Sequence, residues 1–400
     1  MVASDSAHLA HEGPTIRSVG PEIYPVNLLI IQPTPFCNIN CDYCYLPNRH
    51  VTGRLAIETV ERIFRNLFGS SLLGEEVTVV WHAGEPLVLP VSYYEAVFAK
   101  IRELNVTTCC VRHAIQTNGM LIDQPWCDFI NANNVNIGVS LDGPALIHDA
   151  HRKTRSGGGT HADVMRGVAL LQQNQIRFHA IAVVTCESLD FPDEVFGFFL
   201  DHKIREVGFN IDEIEGENPM SSLQEVEQRY RKFMKRIFEL AKTATGAIRI
   251  REFDRAAQLI RRVSPMVTRA GRTFPFNTQT FPFSILNVDF EGNFSTFSPE
   301  LLGHTIPPYG SFALANVFSS TFEDASLTGR FEAINRDIEA GVELCRSSCQ
   351  YFNLCGGGAP ANKHFEHGTF RSAETMYCRY VIQVPIDIVL DDLEKSIERP

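Results

Sequence analysis

The order of apolar and polar positions gives the first account of this chain. LLIIQPT (28–34) is an unbroken apolar run of strand length, and AIETVERIFRNLF (56–68) spaces its apolar residues as a helix does. The same pair of patterns returns along the next 150 or so positions. VTVVWHAGEP (77–86) predicts a strand running into a loop, and VSYYEAVFAKIREL (91–104) a helix. VRHAIQTNG (111–119) and VNIGVSLDGP (135–144) predict strands on either side of the helical QPWCDFINANN (124–134). ADVMRGVALLQQNQ (162–175), FHAIAVVT (178–185), FPDEVFGFFLDHK (191–203) and IREVGFNIDEIEG (204–216) carry the alternation to a sixth strand. Strand–helix alternation of this kind predicts an α/β fold, a parallel sheet covered by helices, open or barrel-like.

The pattern then changes. SSLQEVEQRYRKFMKRIFELAKTATG (221–246) predicts a long helix, and residues 251–272 are rich in arginine. ILNVDFEGNFSTF (285–297) predicts a hairpin that turns at Glu291–Gly292. Beyond about residue 300 the periodicity fades into a loop-rich stretch that holds four cysteines. The expected boundaries are an N-terminal arm over 1–24, the βα array over 25–215, a helical linker over 216–280 and a cysteine-bearing C-terminal domain over 281–400.

Composition narrows the possible functions. A chain of 400 residues with 44% hydrophobic content has ample core for two or three domains. A formal net charge of −11 argues against a nucleic-acid partner bound through its phosphates. No apolar run is long enough to span a bilayer, and the N-terminus lacks a basic region followed by an apolar one. The expected location is therefore cytoplasmic, with no membrane partner. In a reducing compartment the 11 cysteines read as metal or redox ligands in preference to disulfides.

Three of those cysteines stand in CNINCDYCYLP (37–47) as Cys37, Cys41 and Cys44, spaced C-x3-C-x2-C. Thiolates are soft ligands for iron–sulfur clusters and zinc. A four-iron cubane takes one thiolate per iron, so three cysteines leave one iron open, much as catalytic zinc keeps a free position. The loop follows the first predicted strand, at the end of the array where α/β folds build their sites. A zinc knuckle borrowing a histidine, or unrelated buried thiols, also fits the spacing.

This motif, with Tyr43 before the third cysteine, resembles that of the radical S-adenosylmethionine (SAM) enzymes. The resemblance covers about residues 25 to 215 and implies a partial (β/α)6 TIM-like barrel. The three cysteines would hold a 4Fe–4S cluster whose open iron chelates SAM, and an electron would cleave SAM to a 5′-deoxyadenosyl radical. WHAGEP (81–86) resembles the family's Gly-Gly-Glu-Pro segment, with Ala83 in the first glycine position. The resemblance places Tyr43, His82, Gly84 and Glu85 at the cofactor, Glu85 accepting from the methionine ammonium. It also places Ser140 of SLDGP at the ribose or carboxylate, and Arg152 at the SAM carboxylate. Taken alone, GEP is a common turn and SLDGP a plain strand exit.

The C-terminal cysteines Cys345, Cys349, Cys355 and Cys378 are enough to close a second cluster fully, or a zinc site. Their region resembles a reduced SPASM extension of radical SAM peptide maturases. The full extension carries seven cysteines and two auxiliary clusters. Here Phe297 and Ala359 stand at two of its cysteine positions, and a third has no counterpart before Gly292. The missing residues belong to one cluster, so the expectation is two 4Fe–4S clusters in all, one binding SAM and one auxiliary. Cys109, Cys110, Cys127 and Cys186 are expected to be buried or partly buried thiols.

The reduced cysteine set resembles that of maturases that form three-residue cyclophanes, joining an aromatic ring to the β-carbon of a residue two positions on. This implies a ribosomally made precursor peptide as substrate and an electron donor such as flavodoxin or ferredoxin. A carboxylate would accept the departing proton. Glu300 is one candidate. Asp212, Glu213 and Glu215 are others, although a solvated acidic turn is the simpler reading of those three. The arginines of 251–272 would hold an acidic leader peptide or form a charged helix face. One alternative is a sulfatase-maturing enzyme that forms formylglycine, weakened because Ser298 stands where that family has its Asp base. Another is a non-catalytic iron–sulfur or zinc scaffold, disfavoured by the open three-cysteine site.

Overall fold

The computed structural model describes residues 24–261, 265–269 and 272–397. The expected arm therefore lies outside the described residues except for Tyr24, as does Arg262 of the arginine-rich stretch.

All six expected strands form, as Leu28–Ile31, Glu76–Trp81, Cys110–Thr117, Asn136–Ser140, Phe178–Val184 and Glu206–Ile211. They pair in parallel in chain order, with Leu28 opposite Thr78 and Trp81 opposite Ile115. The helices between them bury one apolar stripe each. In Ile57–Phe68 the stripe is Val60, Ile63, Phe64 and Leu67, the i, i+3, i+4, i+7 spacing of a covering helix. The sheet does not close on itself, so the array is a partial barrel.

The sheet is wider than the six apolar runs suggest. Arg249–Ile250 adds a short parallel strand beside Glu206–Ile211. The expected hairpin forms from Ile285–Val288 and Asn293–Thr296, and its first strand pairs in parallel with Leu28–Ile31. This C-terminal hairpin thus continues the barrel's own sheet. The linker is less helical than expected: after the helices Glu227–Thr243 and Arg251–Ile260 it forms a hairpin, Met266–Arg269 with Arg272–Pro275.

The stretch beyond 300 holds more helix than its fading periodicity suggests, including Gly329–Ser348 and Val384–Ile397. A single hydrophobic core runs from the barrel into these helices. Polar ties reinforce the contact. The Tyr380 hydroxyl donates to Leu223 O at 2.7 Å, and Arg231 pairs with Asp387 at 2.9 Å. No helix among the described residues is long and apolar enough to cross a membrane.

Candidate active site

Each parallel strand ends in a loop on one rim of the barrel, and those loops build the site. The loop after Leu28–Ile31 carries Cys37, Cys41 and Cys44. It is pinned from several sides. Ile39–Cys41 pairs antiparallel with Arg152–Thr154, Arg49 Nη1 donates to Cys41 O at 2.9 Å, and Arg155 Nε donates to Cys37 O at 2.8 Å. All three thiols are free. The Asn118 amide lies 3.9 Å from Cys37 Sγ, and Arg152 Nη1 lies 3.9 Å from Cys41 Sγ.

Arg152 is held by a buried carboxylate. Its Nε and Nη2 fork onto Asp142 at 2.9 and 3.1 Å, and Tyr43 donates its hydroxyl to the same carboxylate at 2.5 Å. Burial alone would raise the pKa of Asp142, but Arg152 and the hydroxyl outweigh it and hold the group below its usual range. Two guanidinium nitrogens are thus committed to Asp142, and the third faces the cysteine loop.

Glu85 sits at the end of the second strand's loop, 1% exposed. It accepts from Leu87 N at 2.9 Å, Thr117 Oγ1 at 2.7 Å and Asn118 N at 2.7 Å, so it fastens this loop to the third strand. Burial pushes it up to about 7 against those three donors. Gly84 beside it has φ +103°, and a Cβ there would stand 2.2 Å from Thr34 O, so no larger residue fits. Ala83, in the first glycine position of the resemblance, has φ +68°. His82 Nε2 lies 3.4 Å from the Tyr45 hydroxyl, while its buried Nδ1 has no partner among the described residues. Burial pushes this imidazole down to about 4. Ser140 accepts from Gln116 at 3.1 Å.

These loops enclose a cavity of about 450 Å³. Cys41, Cys44, Tyr43, His82, Ser140 and Arg152 line it together with Asp212, Glu213, Glu215 and Glu300, and Glu215 lies near enough to Cys44 to feel its charge. The solvated-turn reading of residues 212–215 is therefore corrected, since all three acids face the cavity. Burial raises Glu213, Glu215 and Glu300, and their mutual repulsion adds to it for Glu213 and Glu215. Asn362 donates to Glu213 at 2.6 Å, and Ser298 donates to Glu300. Asp212 is occupied differently, accepting from Asn218 Nδ2 at 2.9 Å and Ser222 N at 2.7 Å to shape its own turn.

Asn362, Tyr377, Arg251 and Arg255 also line the cavity; the two arginines belong to the stretch read as a leader-peptide clamp or charged helix face, while Asn362 and Tyr377 were not singled out in the sequence. The adjacency of Tyr377 to Cys378 was the available signal. Arg251 is tied to Asn210 at 2.7 Å and to Glu252, and Arg249 to Asp254 at 2.8 Å.

The four C-terminal cysteines come together. Cys345 ends the helix Gly329–Ser348, with Cys349 just after it. Cys355 ends Phe352–Cys355, and Cys378 opens a six-residue π-helical turn, Cys378–Gln383. All four line one small cavity of about 20 Å³ with Gly357 and Gly358. Gly358 N donates to Cys355 Sγ at 3.1 Å. Phe297 and Ala359 are fully buried apolar residues. Of the remaining cysteines, Cys109 and Cys127 are buried and Cys186 is half-buried, but Cys110 is exposed, contrary to expectation. Among the described residues no three His, Cys, Asp or Glu side chains gather around a single metal ion. Three thiolates on the barrel loop suit a cubane that takes one thiolate per iron and keeps one iron open.

An open parallel barrel with a three-cysteine loop on its rim, beside a partly open cavity, suits an enzyme that works through a cluster with one open position. Residues 31–199 match the model of the radical SAM superfamily. The chain belongs to that superfamily, which implies a 4Fe–4S cluster and SAM. A protein of Synechocystis sp. is 45% identical over 379 residues, 93% of each chain. The cysteine-type anaerobic sulfatase-maturating enzyme of Clostridium perfringens is 27% identical over 345 residues, 84% of this chain and 88% of that enzyme. The solved structure of native anSMEcpe with bound AdoMet aligns with a TM-score of 0.74 at 21% identity, over 93% of this chain and 99% of that one. Streptococcus suis SuiB bound to precursor peptide SuiA aligns at 0.62 and 15% identity, over 89% and 76%. The likeness to these two structures is one of fold, and residues 31–199 mark the protein as a radical SAM enzyme.

Proposed function

We propose that the enzyme crosslinks a precursor peptide, joining the β-carbon of one residue to an aromatic ring in the same short segment. The observation that carries this is the layout of the cavity. Cysteine-loop residues share it with three half-buried carboxylates, Glu213, Glu215 and Glu300, and Tyr377, which also lines it, adjoins Cys378. Forming the bond requires a β-hydrogen atom to leave first, then an electron and a proton from the ring. Proton and electron exits stand side by side here.

Cys37, Cys41 and Cys44 would hold the cluster that, with SAM bound, supplies the deoxyadenosyl radical. Cys345, Cys349, Cys355 and Cys378 would hold one auxiliary cluster, the acceptor of the departing electron. Tyr43, His82, Gly84, Glu85, Ser140 and Arg152 would shape the SAM pocket, with Asp142 orienting Arg152. Glu300 and Glu213 hold the ring proton. Their raised proton affinity at this wall suits a base that works near neutral pH. Asp212 shapes the loop that presents Glu213. Residues 25–215 form the catalytic barrel, 216–280 the bridge and 281–400 the reduced SPASM-like domain. A flavodoxin or ferredoxin supplies the initiating electron.

The second reading is formylglycine formation, favoured by Glu300 in the cavity two residues from Ser298 and by the sulfatase-maturing relatives. Buried Phe297 and Ala359 stand against it, because they fill positions where that route has cluster ligands. The test is anaerobic coexpression with a candidate precursor, followed by tandem mass spectrometry. Crosslinking predicts a missing fragment series across one aromatic-containing segment. Complete fragmentation with a hydrazide-reactive aldehyde at Ser or Cys would replace the proposal with the second reading.

A further inference from the structure

One charged side chain has no role in the site described so far. Lys363 is 2% exposed, among the most buried residues of the chain. Its Nζ donates to Gly341 O at 2.9 Å and to Cys345 Sγ at 3.2 Å, and among the described residues it has no carboxylate partner. Sequestering an ammonium group costs several kcal/mol unless an anion compensates it. Of the two hydrogen-bond partners of Lys363 Nζ among the described residues, the one that can carry negative charge is the Cys345 sulfur.

The surroundings repeat this polarity. Gly358 N donates to Cys355 Sγ at 3.1 Å, and Thr375 Oγ1 donates to Cys378 Sγ at 3.2 Å. Cys349 is served by the backbone of Tyr351 and Phe352, so all four C-terminal sulfurs receive a donor. Glu374, a carboxylate lining the same small cavity, pairs with Arg379 at 3.8 Å and accepts from Gln383 at 2.6 Å. At the barrel loop the side-chain donors to Cys37 and Cys41 lie at 3.9 Å, and the Ile39 backbone also serves Cys37.

We propose that Lys363 is the fixed counter-ion of the auxiliary cluster, raising its reduction potential so that it takes up the electron released by the substrate. This rests on the auxiliary-cluster reading given above. A 4Fe–4S cluster with four thiolates carries two negative charges when oxidised and three after accepting one electron. A buried cation in contact with one ligating sulfur therefore stabilises the reduced form more than the oxidised form. Lys363 also follows Asn362, which holds Glu213. Two consecutive residues of the helix Pro360–His367 thus serve the proton exit and the electron exit.

The test is a redox titration followed by electron paramagnetic resonance on the full-length chain with reconstituted clusters. A Cys37→Ala/Cys41→Ala/Cys44→Ala background isolates the auxiliary signal. Lys363→Met removes the charge, Lys363→Gln removes it but keeps a donor should the methionine variant fold poorly, and Lys363→Arg keeps it. The expected result is at least a tenfold fall in the reduced-to-oxidised ratio at fixed potential for Met and Gln, equivalent to about 59 mV for one electron. Arg should restore most of it. A loaded cluster with unchanged potential in the neutral variants overturns the role of Lys363 while leaving the cluster in place. Failure of the parent background to bind iron, with its fold intact, overturns the auxiliary-cluster reading itself and this inference with it.

Discussion

Replacing Asp142 by Asn probes the buried pair that orients the site. The carboxylate side chain is 1% exposed and its partner Arg152 is 8% exposed. Four donors converge on it: Arg152 Nε and Nη2, the Tyr43 hydroxyl and Val183 N at 2.9 Å. Asn is nearly isosteric, so little packing is lost, but among the described residues it leaves the guanidinium with no carboxylate partner, beside Cys41 Sγ at 3.9 Å and the Tyr43 ring at 5.4 Å. Removing one partner of a buried ion pair costs about 3–5 kcal/mol. Replacing both, as Asp142→Asn/Arg152→Met, removes the unpaired charge and should recover part of that loss, with a coupling of about 0.5–3 kcal/mol. Urea unfolding followed by circular dichroism, with an unchanged slope and equal iron content, measures both. A loss below about 1 kcal/mol in the single variant, or strict additivity in the double, would refute a dominant role for the pair.

Three further outcomes follow from the same geometry. Replacing Cys37, Cys41 and Cys44 by Ser should abolish deoxyadenosine formation, whereas replacing Cys355 and Cys378 should spare part of it, as chromatography of the cleavage products will show. Glu300→Gln should lower crosslinked product by about 100- to 10,000-fold while SAM cleavage continues, and equal loss of both would remove Glu300 as the base. Burial raises the pKa of Glu213, so the folded chain binds more protons than the unfolded chain once pH exceeds about 4.3. Its contribution to stability is therefore present at low pH and is lost as pH rises toward the folded value. Glu213→Gln should flatten the fall in urea midpoint between about pH 5 and about pH 8, and an unchanged slope would contradict its burial.

Some of this was legible in the sequence for definite physical reasons. The first strand is a continuous apolar run, and others alternate apolar buried positions such as Val77, Val79 and Trp81 with less buried ones, so their period of two stands out against the helices between them. The cluster cysteines are legible because their spacing is itself the chemistry. Pairing of Ile285–Val288 with Leu28–Ile31 was not, since a strand's partner some 257 positions away leaves no local trace. The acids 212–215 misled for a related reason. A run of carboxylates looks solvated until distant Glu300, Asn362 and Tyr377 fold over it. Lys363 gave no signal, because a lysine in a helix is ordinarily exposed.

The central claim is that the enzyme makes a bond to an aromatic ring. It is tested most directly with precursor peptide whose aromatic residues carry deuterium on every ring carbon bearing hydrogen, coexpressed or reacted anaerobically and weighed intact. Crosslinking predicts a product lacking one hydrogen from a β-carbon, recovered in deoxyadenosine, and one ring deuterium, released to solvent. A product that has lost two hydrogens and kept every ring deuterium would contradict the account.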